Sequence, residues 1–451
     1  MARDPKRFAR SWRQRGAALV FALAALSVGV VALYLSYDIG SAVAAKTRLG
    51  DAADTAAYSA AVWRARALNF AAYGNRAIIA QEVAVAQALT RQSWIAYFER
   101  FTETVAEVAQ IFPPAYAIAE GVHEAVQIAQ ELTDIAAQAE IRLRDEPEVG
   151  YKTLLVRSQR LIHGAGGVFG AGAVALEVAK AADPRLVAFA LPDGGAYKRF
   201  ARVYSSDADR ARLADVTLRS LDAYSRDRGR EHYLPLVSSC LLAGGDPRAD
   251  YHKRGGTMLV PGLERWEAAD TGSIKNNVRA RFSRRCSRRE IAPVGWGGAE
   301  AAAPRPEGGL RGDPGRVREN PLAYANADRE LANAGERQHT TTGIASVLEL
   351  DESILTGRRP PRSRLAVLAS LPAAKLRDSA ALGLAPAGAG SGHWPGGRLW
   401  AVSAAEAYFR RPPAAGERRS ELASLYGAFW QARLVPITAA DRDAAQAYVE
   451  R

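Results

Sequence analysis

Residues 16–37, GAALVFALAALSVGVVALYLSY, form a 22-residue run without a charged side chain. A helix of this length extends about 33 Å, enough to cross the roughly 30 Å hydrocarbon core of a membrane. Residues 1–15, MARDPKRFARSWRQR, carry six basic side chains and one acidic side chain. Positively charged flanks stay on the cytoplasmic side. The sequence therefore predicts a cytoplasmic leader over 1–15, a transmembrane helix over 16–37, and a large region beyond it outside the cytoplasm.

A cleaved secretory signal is the alternative interpretation of this terminus. The stretch Ala42-Val43-Ala44 resembles a small-residue cleavage site. The apolar region of a signal peptide is usually only about 7–15 residues long, so the longer run here favours a retained anchor.

The composition is that of a folded chain. Its 451 residues are 48% hydrophobic and 24% charged, with a net charge of +12. These values exclude an acidic or basic disordered tail, and the topology argues against nucleic acid as a partner. The two cysteines, Cys240 and Cys286, can form a disulfide in an oxidising compartment, with two free thiols as the alternative.

A long helix is predicted to follow the membrane span. Residues 38–111 contain no proline, and small and apolar residues recur there at helical spacing, so the helix should continue to about residue 110. Pro113-Pro114 should end it. A second helix is predicted over 116–144, packing through an apolar face made of Ile118, Val122, Val126, Ile128, Leu132, Ile135 and Ile141.

The predicted fold is mainly α, with a transmembrane helix that continues into a periplasmic helical hairpin or bundle. Residues 38–183 form this helical region, in which a third helix over 151–182 is interrupted by a glycine-rich stretch. A mixed α+β region follows over 184–291. Residues 292–343, rich in Gly, Pro, Arg and Glu, are predicted to be a flexible loop or linker, and 344–451 a C-terminal structured region.

The sequence offers no motif for catalysis, a cofactor or a metal. The six histidines show no metal-ligand spacing, and no nucleophile elbow or phosphate-binding loop occurs. Convergence of His232, Cys240 and His252 with Asp246 or Asp250 has no matching ligand pattern. We therefore expect no enzyme activity, no cofactor and no small-molecule substrate.

The segment after the membrane span carries a specific combination of residues. It reads Asp38-x-Gly40, then Lys46-x-Arg48-Leu49, then Asp51-Ala52-Ala53-Asp54-x-Ala56-Ala57. With the basic leader and the span, this combination resembles the amino-terminal segment of TadE/TadG-like proteins, which are associated with assembly of Flp (tight adherence) pili. The resemblance implies a bacterial inner-membrane protein whose partners are other pilus-assembly or pilin-like proteins. The implied interaction residues are Asp38, Gly40, Lys46, Arg48, Leu49, Asp51, Ala52, Ala53 and Asp54.

The expected function is a non-enzymatic accessory or minor-pilin-like component of pilus assembly or secretion. A prepilin cleavage site would need Glu five residues after Gly16, where this chain has Phe21, so the role implied is an anchor. One alternative is a membrane-tethered periplasmic cell-wall-binding protein or hydrolase, and another is a scaffold unrelated to pili. A further alternative concerns Ala52, Ala56 and Ala60, whose small-residue row can pack within its own chain as well as between subunits.

Overall fold

The architecture is built on one helix that runs from the amino terminus through the folded body. The computed structural model describes residues 6–111, 113–203, 206–237, 248–262, 264–279, 286–372, 375, 397–412 and 422–450. Helix α1, Lys6–Ala109, is 104 residues long, or about 156 Å at 1.5 Å per residue. Of the described residues, only this helix contains a stretch long and apolar enough to cross a membrane, and that stretch is unburied. The prediction that the apolar helix continues to about residue 110 is confirmed.

The second helix runs back along α1. Helix α2, Pro113–Asp145, begins at the predicted proline pair. Thr102 Oγ1 lies 3.2 Å from His123 Nδ1, and farther along the pair Gln92 Nε2 donates to Asp134 Oδ1 at 2.8 Å. Since later residues of α2 meet earlier residues of α1, the two helices are antiparallel.

The face of α2 that packs on α1 differs from the predicted one. Of the seven apolar residues expected to pack, Val126 and Ile141 are buried, whereas the other five are exposed. The buried face instead includes polar residues such as His123 and Asp134. The reason is that this part of α1 presents polar groups, which pair with polar groups of α2, so apolar periodicity alone identified the wrong face.

A glycine-rich stretch interrupts the third helix, as predicted. It divides into α3, Tyr151–Leu161, a π-helix, Ile162–Gly170, and α4, Ala171–Ala182. A Cβ at Gly170 would lie 2.4 Å from Trp63 Nε1 on α1. A side chain at position 170 would therefore require the Trp63 ring to shift.

Three sheets follow the helical region. The first has strand order β1-β9-β10-β11, the second β2-β8, and the third β3-β4-β5-β6-β7. All pairings are antiparallel except that of β6 with β7. The strands are β1 Val187–Ala190, β2 Ala201–Val203, β3 Arg230–Val237, β4 Arg248–Leu259, β5 Arg265–Arg279, β6 Cys286–Ala302, β7 Gln338–Thr340, β8 Leu348–Leu350, β9 Arg362–Pro372, β10 Arg398–Phe409 and β11 Trp430–Val435.

Shorter helices connect and cover these sheets. They are α5 Ala196–Phe200, α6 Asp207–Ser220, α7 Ala223–Arg226, α8 Pro321–Leu331, α9 Glu352–Leu355 and α10 Ala439–Val449, together with two 3-10 helices, Pro314–Glu319 and Gly335–Arg337. Capping boxes stabilise the starts of α6 at Ser206 and of α10 at Thr438.

Helix α1 is the axis on which the sheets pack. The buried residues of 49–61 pack against α4 and the four-stranded sheet, and those of 78–89 pack against β5 and β6 of the five-stranded sheet. At Gly297 of β6 a Cβ would lie 2.4 Å from the carbonyl oxygen of Ser93, so the strand backbone lies directly on the helix backbone. The core is therefore distributed along α1.

The structure also differs from the flexible linker expected over 292–343. This segment contains the end of β6, two 3-10 helices, α8 and β7. Glu300 and Glu267 are fully buried around Arg265, whose Nε lies 2.5 Å from Glu267 and whose Nη2 lies 2.5 Å from Glu300. Composition suggested mobility because charged residues are usually solvated, whereas here opposite charges are buried together.

Candidate membrane-proximal interaction site

The segment singled out by its sequence lies on α1 directly beyond the membrane span. Leu49, Ala52 and Ala53 are buried, while Asp51 and Asp54 are exposed. This division follows from the 3.6-residue period, which places neighbouring positions on different faces of one helix. The segment therefore has one face in the protein core and one face open to solvent.

The buried face packs within its own chain. Ala52, Ala56 and Ala60 belong to a core cluster that also contains a second alanine row on α4. That second row is Ala171, Ala175 and Ala179, all fully buried. Small residues every fourth position allow two helices to approach closely. The intrachain alternative for this alanine row therefore describes the structure, and the spacing of the second row is a sequence signal that could have identified its partner.

A groove opens beside the exposed face. It has a volume of about 590 Å³ and extends from Tyr37, at the end of the span, toward Thr55. Arg48 and Asp51 line it from α1, and Asp183, Arg185 and Leu186 line it from the segment between α4 and β1. The groove thus combines both charge signs at the edge of the predicted membrane region.

An ion pair forms the opposite wall of this groove. Arg185 contacts both carboxylate oxygens of Asp183, with Nη2 2.6 Å from Oδ2 and Nε 3.0 Å from Oδ1. These hydrogen bonds lower the pKa of Asp183 to about 2. Asp183 is therefore a fixed negative charge at neutral pH. This pair was not among the residues predicted to form the site, although the short sequence Asp183-Pro184-Arg185 after a helix is a recognisable signal.

Lys46 connects α1 to the four-stranded sheet. Its Nζ donates to the carbonyl oxygen of Trp400 on β10 and lies 5.5 Å from the centroid of the Trp400 ring. Partial burial lowers the pKa of Lys46. Because the two residues are 354 positions apart, no local pattern of residues predicts this contact. Lys46 therefore contacts a residue of its own chain and is not fully free for a partner.

The first two residues of the segment lie nearest the span. Asp38 is half-buried, and its carbonyl oxygen accepts a hydrogen bond from Ser41 Oγ at 3.0 Å. Gly40 is exposed, and a Cβ there would have nothing within 4 Å. The fold of this chain therefore does not itself require glycine at position 40.

A second cavity, of about 720 Å³, lies between α1, α2 and α8. Three of its charged side chains bind one another: Glu330 lies 3.0 Å from Arg100 Nε and 2.7 Å from Arg337 Nη2. Trp296 Nε1 also donates to Glu330, at 2.9 Å. These contacts join α1, β6 and α8 around the cavity, so its charged residues have a structural role.

The other candidate residues do not form a metal site in the described part of the chain. The register pairs His252 with Glu231 and His232 with Tyr251, so the two histidines point to opposite faces of the sheet. Within the described ranges, no group of three or more His, Cys, Asp or Glu side chains is placed to hold a metal. Cys240, Asp246 and the side chain of Cys286 lie outside the described residues, so the disulfide stays a prediction.

Comparison with known proteins bears on the amino-terminal segment. Residues 16–65 match the Tad family model, described as "Putative Flp pilus-assembly TadE/G-like". No curated protein matches the chain, and no solved structure does. The resemblance predicted from the sequence is confirmed over these residues, which comprise the membrane span, the groove-lining part of α1 and the first buried alanines.

Proposed function

Because residues 16–65 match the TadE/G-like family, we propose that this protein is a non-enzymatic, inner-membrane-anchored accessory or minor-pilin-like component of Flp/Tad-type pilus assembly or secretion. The observation that carries the proposal is that the matched residues coincide with the membrane anchor and the adjoining groove. The match supports a place in pilus assembly, and the specific role is our inference from the structure.

The proposed topology is a single span with the amino terminus in the cytoplasm. The unburied apolar stretch of α1 supports a membrane anchor, and the six basic side chains before it support a cytoplasmic leader. The folded body then lies in the periplasm. Leu49, the first buried residue of α1, stands about 18 Å along the helix from Tyr37, so the body begins close to the membrane surface.

We propose that the exposed face of the family-like segment contacts other assembly proteins. Arg48, Asp51 and Asp54 are open to solvent, whereas Leu49 and the alanines stabilise the chain itself. Charges at such a rim steer association and select partners more than they add affinity. The buried face supplies rigidity, since it fixes α1 against α4 and the four-stranded sheet.

The test is a count of surface pili in a deletion strain, with the wild-type gene restored as a control. We expect pili to be lost on deletion and regained on complementation. Normal pili in the deletion strain, with the protein demonstrably absent, would remove the proposal.

A second strain tests the contact face. The double variant Asp51→Lys/Asp54→Lys should accumulate normally yet lower pilus number, because both positions are exposed and reversal leaves the core intact. Asp443→Lys, an exposed charge reversal on α10, is the matched control and should leave pili unchanged. Equal pilus counts in the two variants would remove this face from the proposal.

A further inference from the structure

Helix α2 presents a long apolar face that nothing in the described chain covers. Its large exposed residues are Ile118, Val122, Ile128, Leu132, Ile135 and Leu143, with exposed fractions between 46% and 72%. Single exposed apolar residues are common on protein surfaces, but a contiguous row of them marks an interaction site. These six residues span most of the 33-residue helix.

The spacing of this face is that of a helix-packing seam. Ile118, Ala125, Leu132 and Ala139 lie seven residues apart, and Ile128 and Ile135 form a second row with the same period. A seven-residue apolar repeat is the pattern by which one helix packs along another. The opposite face of α2 already packs on α1, so this seam is available to a further helix.

Over residues 113–141 the seam has an acidic edge and no basic one, whereas Arg142 and Arg144 lie in the last turn of α2. Residues 113–141 contain no Lys or Arg, although the whole chain has a net charge of +12. Glu124 and Glu131, both exposed and seven residues apart, border the seam on one side. The residues bordering the other side are Val122, Ala129 and Ala136. A helix that packs here therefore meets negative charge along one edge.

This geometry disfavours two occupants of the seam, the lipid bilayer and a second copy of this chain. At the end of α2 nearest the span, Arg144 Nη1 donates to Gln81 Oε1 of α1 at 3.0 Å. Gln81 lies about 66 Å along α1 from Tyr37, so the seam is too far from the membrane to contact lipid. If the α2 helices of two copies packed antiparallel, Glu124 and Glu131 of one copy would face the same glutamates of the other. If they packed parallel, these glutamates would face alanines of the other copy. Neither arrangement brings Arg142 or Arg144, in the last turn of α2, beside Glu124 or Glu131 of the other copy.

We infer that the outer face of α2 docks a helix of another protein, with an apolar seven-residue repeat bordered by Lys or Arg. That this protein is an assembly component rests on the proposed function, while the contact itself rests on the seam and its charge. Opposite charges bordering an apolar seam determine partner choice in paired helices.

Two synthetic helical peptides of equal length test the contact. Both carry a Leu/Ala seam, one bordered by Lys and the other by Glu, and each is titrated onto the full chain in nanodiscs of zwitterionic lipid, with empty discs subtracted. We expect the Lys-bordered peptide to bind at least about tenfold more tightly, with affinity that falls as salt rises. Equal binding of the two peptides, or no binding of either, would overturn the inference.

A double variant locates the binding. Ile128→Gln/Leu132→Gln should weaken the Lys-bordered peptide at least about tenfold, because both side chains are more than half exposed and would be buried by a docked helix. Leu154→Gln/Leu161→Gln, two exposed leucines of α3, is the matched control and should change binding less than about twofold. Unchanged binding by the α2 variant would refute docking at this face, and a wild-type dimer abolished by that variant would assign the face to a second copy instead.

Pilus counts separate this inference from the proposed function. If deletion abolishes pili and the Ile128→Gln/Leu132→Gln variant retains them, the proposed function stands and docking through α2 during assembly is refuted. If deletion leaves pili normal, the proposed function fails, and the peptide titrations alone decide whether the docking surface exists.

Discussion

Replacement of Lys152 by methionine should destabilise the protein in a manner that depends on pH. Lys152, which is 1% exposed, donates from Nζ to Glu82 Oε1 at 2.8 Å and to Asp145 Oδ2 at 2.5 Å. It also donates to the carbonyl oxygen of Gly343 at 2.8 Å. One ammonium group thereby joins α1, the end of α2, α3 and the segment before β8.

The expected loss in the free energy of unfolding follows from Glu82 and Asp145, the two buried carboxylates that lose their ammonium partner. Burial already raises the pKa of Glu82, so the variant should take up a proton there. Protonation of a carboxyl with an ordinary pKa of about 4.3 costs about 3.7 kcal/mol at pH 7 and about 1 kcal/mol at pH 5. Leaving both carboxylates charged would cost about 3–5 kcal/mol. We therefore expect Lys152→Met to lower the free energy of unfolding by about 3–4 kcal/mol at pH 7 and by about 1–2 kcal/mol at pH 5.

Denaturant unfolding of the full chain in detergent, followed by tryptophan fluorescence, measures this loss. Trp266 Nε1 donates to Glu82 Oε2 at 3.1 Å, so one indole reports directly on the cluster. Lys180→Met, at an exposed position on α4, is the control and should change stability by less than about 0.5 kcal/mol. A loss for Lys152→Met that is below about 1 kcal/mol, or equal at both pH values, would refute the reasoning.

Three further substitutions test the packing and the acid stability. Ala56→Leu should cost about 1–3 kcal/mol, read from the denaturant midpoint, because the site is fully buried; an unchanged midpoint would contradict the intrachain packing of the alanine row. Gly170→Ala should lower the midpoint similarly, because its Cβ would overlap Trp63; a neutral effect would show that the ring moves freely. Hydrogen bonds from Arg364 lower the pKa of Asp441 to about 2, so its stabilisation is present above about pH 4 and lost as pH falls through 2. Asp441→Asn should remove about 1–2 kcal/mol of that pH dependence, after allowance for the partly solvated Arg364, and an unaltered acid-unfolding curve would exclude this pair as its source.

The helical amino-terminal region could be predicted because its signals are local. An apolar run, the absence of proline over 38–111 and the pair Pro113-Pro114 suffice to place α1 and the start of α2. The family-like segment was found in the same way, from residues close together in sequence. These properties depend on the chain's own periodicity and require no knowledge of distant partners.

The remaining features depend on contacts between distant residues. Nothing near Lys46 indicates Trp400, and nothing near Arg265 indicates that Glu300 is buried beside it. Glu300 lies within 292–343, and its burial against the distant Arg265 is one reason why the charged composition of this region did not mean a solvated linker. The packing face of α2 was assigned wrongly for a related reason, since its polar residues find partners on α1.

The continuity of α1 has a mechanical consequence. From Tyr37 to Ala109 the helix extends about 108 Å with no proline to act as a hinge. A change of 10° in the tilt of the span would displace the far end by about 19 Å, because both lie on one rod. A pull applied to the outer face of α2 would reach the lipid bilayer as torque on the anchor instead of being absorbed by a flexible tether. Motion of the anchor and motion of the distal surface are thus coupled through one continuous helix.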